Sequence, residues 1–458
     1  MTNSRYAVRG RRMAAVGLAS LAGLATALAG APAPAAATTW KPIGTSGQLD
    51  ISDEIGLART GDGTLHVGWY RLDGPAGYDL LQTPITAAGA IRPAVPIVSG
   101  WTIMEGPTLL AHGSTLQAFW SGVHTTVTGD PTEGVDQATS GDGGDTWAVS
   151  PTAIAAGDFA YGRDAAVVQS GSTLLQSWSG TSQTVVHAGS DPAVPGLQGY
   201  GVGVDQSLAA SASGQVVVAW CASVDGPTGV FARSVDPGTG GPLGRTSTAS
   251  RAFCPASGRV PLVARSNGGF YVLSTDADRQ TVGLWRVGAA RKTRVSGGSG
   301  IKEQLALAGD AEGRLWAGWI EGDQLVLRRS CDKRGSLRFG AAVRIPLPAG
   351  QTIYQLDLAA QADRVDAIAR GSDGTTVRLF HTQAYPGLSL AATGGKRASF
   401  TVTDACRPVA GARIAVAGST LTTDASGRAS VDLPAGRFTA KASKPDYVPA
   451  TATVRLTS

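Results

Sequence analysis

Seven polar or charged residues recur at a spacing of about 50 positions, each just ahead of a turn and a Trp-ending or apolar strand pattern: Glu54, Glu105, Arg163, Asp205, Arg259, Gln304 and Gln355. Carboxylates in such a set can exchange protons, arginines can clamp an anion through two parallel bonds, and glutamines can give and take hydrogen bonds with hydroxyl groups. Their neighbours add Asp53, Tyr161, Asp164, Glu303 and Tyr354. Acids, arginines and tyrosines that converge in a concavity are what polar ligand recognition requires. The same residues can equally line a wet surface and pair with one another.

Familiar catalytic and cofactor signatures are absent. There is no G-x-S-x-G, no H-E-x-x-H, no Walker loop and no glycine-rich dinucleotide turn between a strand and a helix. The histidines (His66, His112, His124, His187 and His381) are scattered along the chain, and the cysteines (Cys221, Cys254, Cys331 and Cys406) include no C-x-x-C pair. Neither a metal nor a cofactor is expected from these residues.

What must position the polar set is a repeat. The copies are GDGTLHVGWY (61–70), HGSTLQAFW (112–120), SGSTLLQSW (170–178), ASGQVVVAW (212–220), SNGGFYVLS (266–274), AEGRLWAGW (311–319) and QADRVDAIA (361–369). Each reads as a tight turn followed by an alternating strand, with a short apolar strand before it and a weaker strand pair after it. Four strands in every 50 residues or so is the pattern of a β-propeller blade, so an all-β, seven-bladed propeller is expected. In that fold the polar set falls at the start of each inner strand, at one mouth of the central channel. The tryptophans that end the repeats (Trp69, Trp120, Trp178, Trp220 and Trp319) should pack between blades. Trp101, off the repeat, is expected on the channel-mouth face, where a sugar-stacking platform is the minority reading. The last blade lacks a clear fourth strand, and Trp40-Lys41-Pro42-Ile43 is apolar enough to supply it.

Residues 1–37 read as a signal peptide: Arg5, Arg9, Arg11 and Arg12 precede an apolar run from Ala14 to Ala29, then Ala35-Ala36-Ala37. The apolar run is short for a membrane span, and none is expected after cleavage. Removing this segment leaves 35 basic residues (39 less 4) against 34 acidic, so the net charge falls from +5 to about +1. No basic cluster with interleaved aromatics suggests nucleic acid. All four cysteines lie in the exported part, where disulfides are favoured. The blade alignment places Cys221 near Cys254, which leaves Cys331 with Cys406 to staple the C-terminal segment under the sixth blade.

Two resemblances follow from particular residues. Ser140-Gly141-Asp142-Gly143-Gly144-Asp145-Thr146-Trp147 resembles the Asp-box S-x-D-x-G-x-T-W of sialidases and related BNR-repeat propellers, here with Ser140, Asp142, Gly144, Thr146 and Trp147 in structural roles. Weaker copies stand at Ser234/Asp236 and Ser330/Asp332. The tail, with Pro408 to Ala412, the Thr423–Gly427 turn, Pro434-Ala435-Gly436 and Tyr447, resembles the carboxypeptidase regulatory-like domain, a transthyretin-like β-sandwich. The resemblances imply a propeller over 38–386 and an accessory sandwich over 387–458.

A sialidase would need an arginine cluster, a Tyr/Glu nucleophile pair and an Asp acid/base, and Arg163, Arg259, Tyr354, Glu303 and Asp53 supply the types. The family's arginine-bearing F/Y-R-I-P signature has its only likeness at Val343-Arg344-Ile345-Pro346, late in the chain, and only one Asp-box is complete. The leading expectation is therefore a secreted or cell-envelope, monomeric, non-catalytic propeller. It would bind a glycan or an extracellular protein through Glu54, Glu105, Arg163, Asp205, Arg259, Glu303 and Tyr354. An exo-α-sialidase-like or other glycan-cleaving enzyme and a structural envelope protein are the alternatives. Ion pairs around an open mouth would be exposed, so replacing Arg163 or Arg259 is expected to change stability little.

Overall fold

The computed structural model describes residues 39–47, 54–72, 77–125, 131–156, 165–179, 184–189, 204–222, 228–251, 258–333 and 335–457. The expected signal peptide lies outside this set, as do Asp53, Tyr161, Arg163, Asp164 and Cys254. The described residues are all-β, without a helix, and none of their elements is a helix long and apolar enough to cross a membrane.

Seven antiparallel sheets occupy residues 41–384 among the described residues. Each starts on an inner strand: Gly56–Arg59, Ile103–His112, Ala166–Ser170, Val204–Ala210, Leu262–Ala264, Glu303–Gly309 and Thr352–Ala360. Each inner strand touches the next, and the seventh touches the first, so the sheets form a closed ring around a central channel. This is a propeller.

The cause is visible in burial. The second strand of a sheet lies between two neighbouring blades, so both of its faces are covered and its sequence is apolar throughout rather than alternating. Val216–Ala222 is buried at every position, and Leu65–Leu72 at all but its last two. The apolar clusters accordingly belong to pairs of blades. One joins Trp316 and Leu327 to Leu356 and Ala367 across the sixth and seventh sheets, and another joins Val67 and Trp69 to Ile368 and Leu379 across the first and seventh. All five repeat tryptophans are buried in these layers. Trp101 is buried too, 6% exposed and edge-on to Trp120 with ring centroids 5.6 Å apart, which corrects the reading as an open platform. The indole fills the gap between the first and second sheets and has no free face.

The ring is closed by the strand Lys41–Gly47. It pairs with Val377–Ala384, opposing Lys41 to His381 and Pro42 to Phe380, and so supplies the outer strand of the seventh sheet.

Two further sheets follow in residues 388–456. Leu388–Thr393, Ala398–Asp404, Arg407–Pro408 and Arg428–Val431 make one, and Ser419–Thr422, Arg413–Val416, Gly436–Ser443 and Ala450–Leu456 the other. Their strands alternate buried and exposed, as in Ala398–Asp404, and enclose a core of their own around Phe400, Ile414 and Val454. Cys331 and Cys406 form a disulfide between this unit and the sixth sheet. Cys221 is also disulfide-bonded, and its expected partner Cys254 lies outside the described residues. Beside the Cys331–Cys406 link, Arg329 forms a buried ion pair with Asp404, and Arg407 reaches Glu312 at 2.7 Å. Gly340 makes the contact close: a Cβ there would stand 2.8 Å from the Ala405 backbone.

Candidate functional site

The Arg259 side chain reaches across the channel. Arg259 stands just before the inner strand of the fifth sheet, and its guanidinium forms an ion pair with Glu54 at the start of the first. It also donates to the carbonyls of Gly106 in the second sheet, at 2.9 Å, and of Ala165 at the edge of the third, at 2.7 Å. One residue thus ties the fifth blade to three blades opposite. Glu54 is only 2% exposed and Arg259 21%. The expectation of exposed pairs at an open mouth is therefore corrected for these two. A guanidinium that reaches Glu54, Gly106 and Ala165 together covers the carboxylate and so removes it from water.

The inner strands that carry the polar set share a further device. Their pairing with the second strand shifts between Glu105 and Thr108, between Val204 and Ser207, and between Glu303 and Ala306. Within these bulges sit Gly106, Asp205 and Gln304, all with left-handed backbone at φ of 58°, 54° and 49°. A bulge re-aims a side chain, and a non-glycine residue held in that conformation is the kind of strain found at functional sites. The bulge register equates Asp205 and Gln304 with Gly106, one position after Glu105.

A recess of about 130 Å³ opens beside Arg259, lined also by Gln304, Gln355, Asp357 and Ser207. The segment that forms its wall is fixed from the fourth sheet: Val260 N donates to Asp205 O at 2.8 Å, and Ser207 Oγ to Val260 O at 2.6 Å. Gln355 is 6% exposed. Its Nε2 donates to Asp357 Oδ2 at 3.0 Å, while its Oε1 has no hydrogen-bond partner among the described residues. Burial pushes the Asp205 carboxyl up to about 7. Burial also pushes Asp357 up to about 6, against the opposing pull of the Arg259 charge and the Gln355 hydrogen bond. The recess therefore offers one unfilled acceptor and, nearby, two carboxyls that lose their protons at a higher pH than a free aspartate does.

Of the sequence-derived set, Arg259, Gln304 and Gln355 line this recess, Glu54 joins through Arg259, and Asp205 braces its wall. Glu105 is half-buried next to the Gly106 carbonyl that Arg259 holds. Glu303 lies elsewhere, exposed and paired with Arg279 at 2.7 Å, and Tyr354 is not among the lining residues. Asp357 was missed. It follows Gln355 by two positions in one strand and so shares its face, a signal the alternation of the sequence carried.

On another face the turn Ser140–Trp147 is self-bonded. Ser140 Oγ donates to Asp142 Oδ1 at 2.7 Å and accepts from Gly144 N at 2.8 Å, while Asp142 accepts from Thr146 N at 3.0 Å and Thr146 Oγ1 at 2.6 Å. These bonds hold the Asp142 carboxyl far below the usual carboxylate range, led by that from Thr146. The first sheet repeats the arrangement: Asp62 accepts from Thr60 Oγ1, Thr64 N and Thr64 Oγ1, and is held at about 2. Among the described residues no cluster of three or more His, Cys, Asp or Glu is placed to hold a metal ion.

No family model matches the chain, and no curated protein matches it. Among solved structures it is similar to an α-L-arabinofuranosidase from Fusarium graminearum at 13% identity, with a TM-score of 0.40 over 75% of this chain and 98% of that one. It is similar to the Hadza microbial sialidase Hz136 at 10% identity, with a TM-score of 0.43 over 73% of this chain and 65% of that one. A third likeness, to the SapL1 lectin in complex with alpha methyl fucoside, has 14% identity and a TM-score of 0.37 over 66% of this chain and 98% of that one. Likenesses this distant assign no activity.

Proposed function

We propose that this chain is an extracellular, non-catalytic binding propeller that takes a hydroxyl-bearing ligand, a glycan in the first instance, at the channel recess. The observation that carries the reading is the Gln355 Oε1 atom, buried in the recess wall without a partner among the described residues. A buried acceptor left unmade costs about 1–3 kcal/mol, and a hydroxyl donor from a ligand would satisfy it. The recess is small beside drug-sized sites of roughly 300–1,000 Å³. It suits one substituent or the edge of a terminal sugar rather than an extended chain. The 387–458 segment is then an accessory module of the carboxypeptidase regulatory-like type, and the Ser140–Trp147 turn an Asp-box with a structural part only.

The test is glycan-array binding beside a fluorogenic sialoside assay, on the wild type and on Gln355→Leu. Saturable binding that the variant loses, without turnover in either protein, is expected. Binding that Gln355→Leu leaves intact would remove the recess from the reading.

One observation favours a hydrolase instead. Asp205, pushed up to about 7, still carries a proton in part of the molecules at neutral pH, as a general acid must, while Asp357, at about 6, is mostly ionised there. Turnover abolished by Asp205→Asn or Asp357→Asn would select that alternative.

A further inference from the structure

A second concavity, of about 600 Å³, lies between the fourth and fifth sheets, away from the channel recess. Val217, Val235 and Phe270 contribute apolar lining, and Leu243 forms part of the wall. Leu243 is 48% exposed, one of three large hydrophobic side chains left exposed among the described residues. A concavity of this size with an apolar lining and one polar group falls in the range of small-molecule sites.

Arg286 is the one charged side chain that lines the groove among the described residues. Among the described residues Arg286 has no ion-pair or side-chain hydrogen-bond partner. Its guanidinium lies over Gly269, where an added Cβ would stand 2.9 Å from Arg286 Nε. The lack of a side chain at Gly269 therefore leaves room for the cation at the edge of the apolar lining. The groove between the first and second sheets makes the contrast. At about 490 Å³ it is lined by Asp62, Asp142 and Asp145 with Arg92, so its charge has the opposite sign.

We infer that the groove between the fourth and fifth sheets binds a small amphipathic carboxylic acid. The apolar body would lie on Val217, Val235, Phe270 and Leu243, and the carboxylate would meet the Arg286 fork. A planar guanidinium matches a carboxylate through two parallel bonds, and one cation balances one negative charge. A doubly charged phosphate would call for more than the single arginine present.

Octanoate, octanamide and octylammonium are the probes, with binding to the full chain followed by calorimetry and ligand-observed NMR. Octanoate is expected to bind at least about tenfold more tightly than octanamide, a difference near 1.4 kcal/mol, and octylammonium more weakly than either. That comparison needs no variant. Arg286→Gln should bring octanoate down to the affinity of octanamide, and Leu243→Ser should weaken both in parallel. Arg344→Gln, an exposed arginine on an outer strand of the sixth sheet, should change neither. Equal affinity for octanoate and octanamide, no octanoate binding at millimolar concentration, or full octanoate affinity in Arg286→Gln would each overturn the inference. Because the groove and the recess share no lining residue, Gln355→Leu should leave octanoate binding unchanged, so the two sites fail or hold separately.

Discussion

Arg259 and Glu54 meet across the channel, an arginine of the fifth blade holding a carboxylate of the first that is almost wholly buried. Removing the cation takes the Arg259 charge from that carboxylate and one donor each from the Gly106 and Ala165 carbonyls. Breaking one side of a buried pair costs about 3–5 kcal/mol. Arg259→Met should therefore lower unfolding stability by about that amount. The double variant Glu54→Gln/Arg259→Met should lose markedly less than the sum of the two single changes. Chemical denaturation of the four proteins measures the coupling, and additive losses would reject it.

Asp205 makes stability depend on pH. Its folded pKa, raised to about 7, exceeds that of an unfolded aspartate, near 3.9. Between these values the folded state binds the extra proton, so the stability it contributes is full below pH 4 and is lost as pH rises toward 7. Asp205→Asn cannot titrate, and asparagine tolerates the left-handed backbone at this position. The variant should match the wild type at acid pH and exceed it at pH 8 by an amount on the order of 2–4 kcal/mol. Thermal melts across pH decide it, and parallel curves for the two proteins would show that Asp205 titrates normally.

His66 acts in the opposite sense. Burial pushes the imidazole down to about 4, and its neutral ring bonds Thr60 Oγ1 and Gln82. The unfolded histidine takes up a proton near 6.5, so its contribution is complete above that pH and is lost as pH falls toward 4. NMR titration should find this ring neutral at pH 5.5, where a free histidine is mostly charged.

Gly144 tests the self-bonded turn. Its φ is +94°, and a Cβ would stand 2.9 Å from Gln82 Oε1. Gly144→Ala is expected to destabilise by about 1–3 kcal/mol, whereas Gly143→Ala, also left-handed but facing open space, should cost less.

The Cys331–Cys406 link closes a segment of 75 residues. Loop-closure entropy assigns such a link about 4 kcal/mol. The Cys331→Ser/Cys406→Ser variant should melt earlier by a corresponding amount. Adding Asp404→Asn, which strips Arg329 of its buried partner, should lower the melting point further.

The blade pattern was legible because turns and apolar second strands repeat in the chain itself. Glu105, Asp205 and Gln304 read as one repeat position, but the bulge register sets Glu105 one place earlier than the other two. Whether Arg259 lies at the rim or crosses to Glu54 depends on the width of the channel, which no single strand encodes. The bulges at Gly106, Asp205 and Gln304 were hidden for a similar reason: an extra residue in one strand is defined only against its neighbour. Trp101 misled because its chain position looks peripheral, while its indole turns back against Trp120.

The pairing of Lys41–Gly47 with Val377–Ala384 also sets an order of events. The earliest strand of the ring to be synthesised finds its partner only after every other blade has been made. Until then the seventh sheet lacks its outer strand, and the edge of Val377–Ala384 is open to pairing with another chain. Closure is a long-range step in sequence, and such steps are slow. Conditions that hold back the first strand, or fuse bulk next to it, should therefore favour aggregation during folding while leaving the finished ring as stable as before.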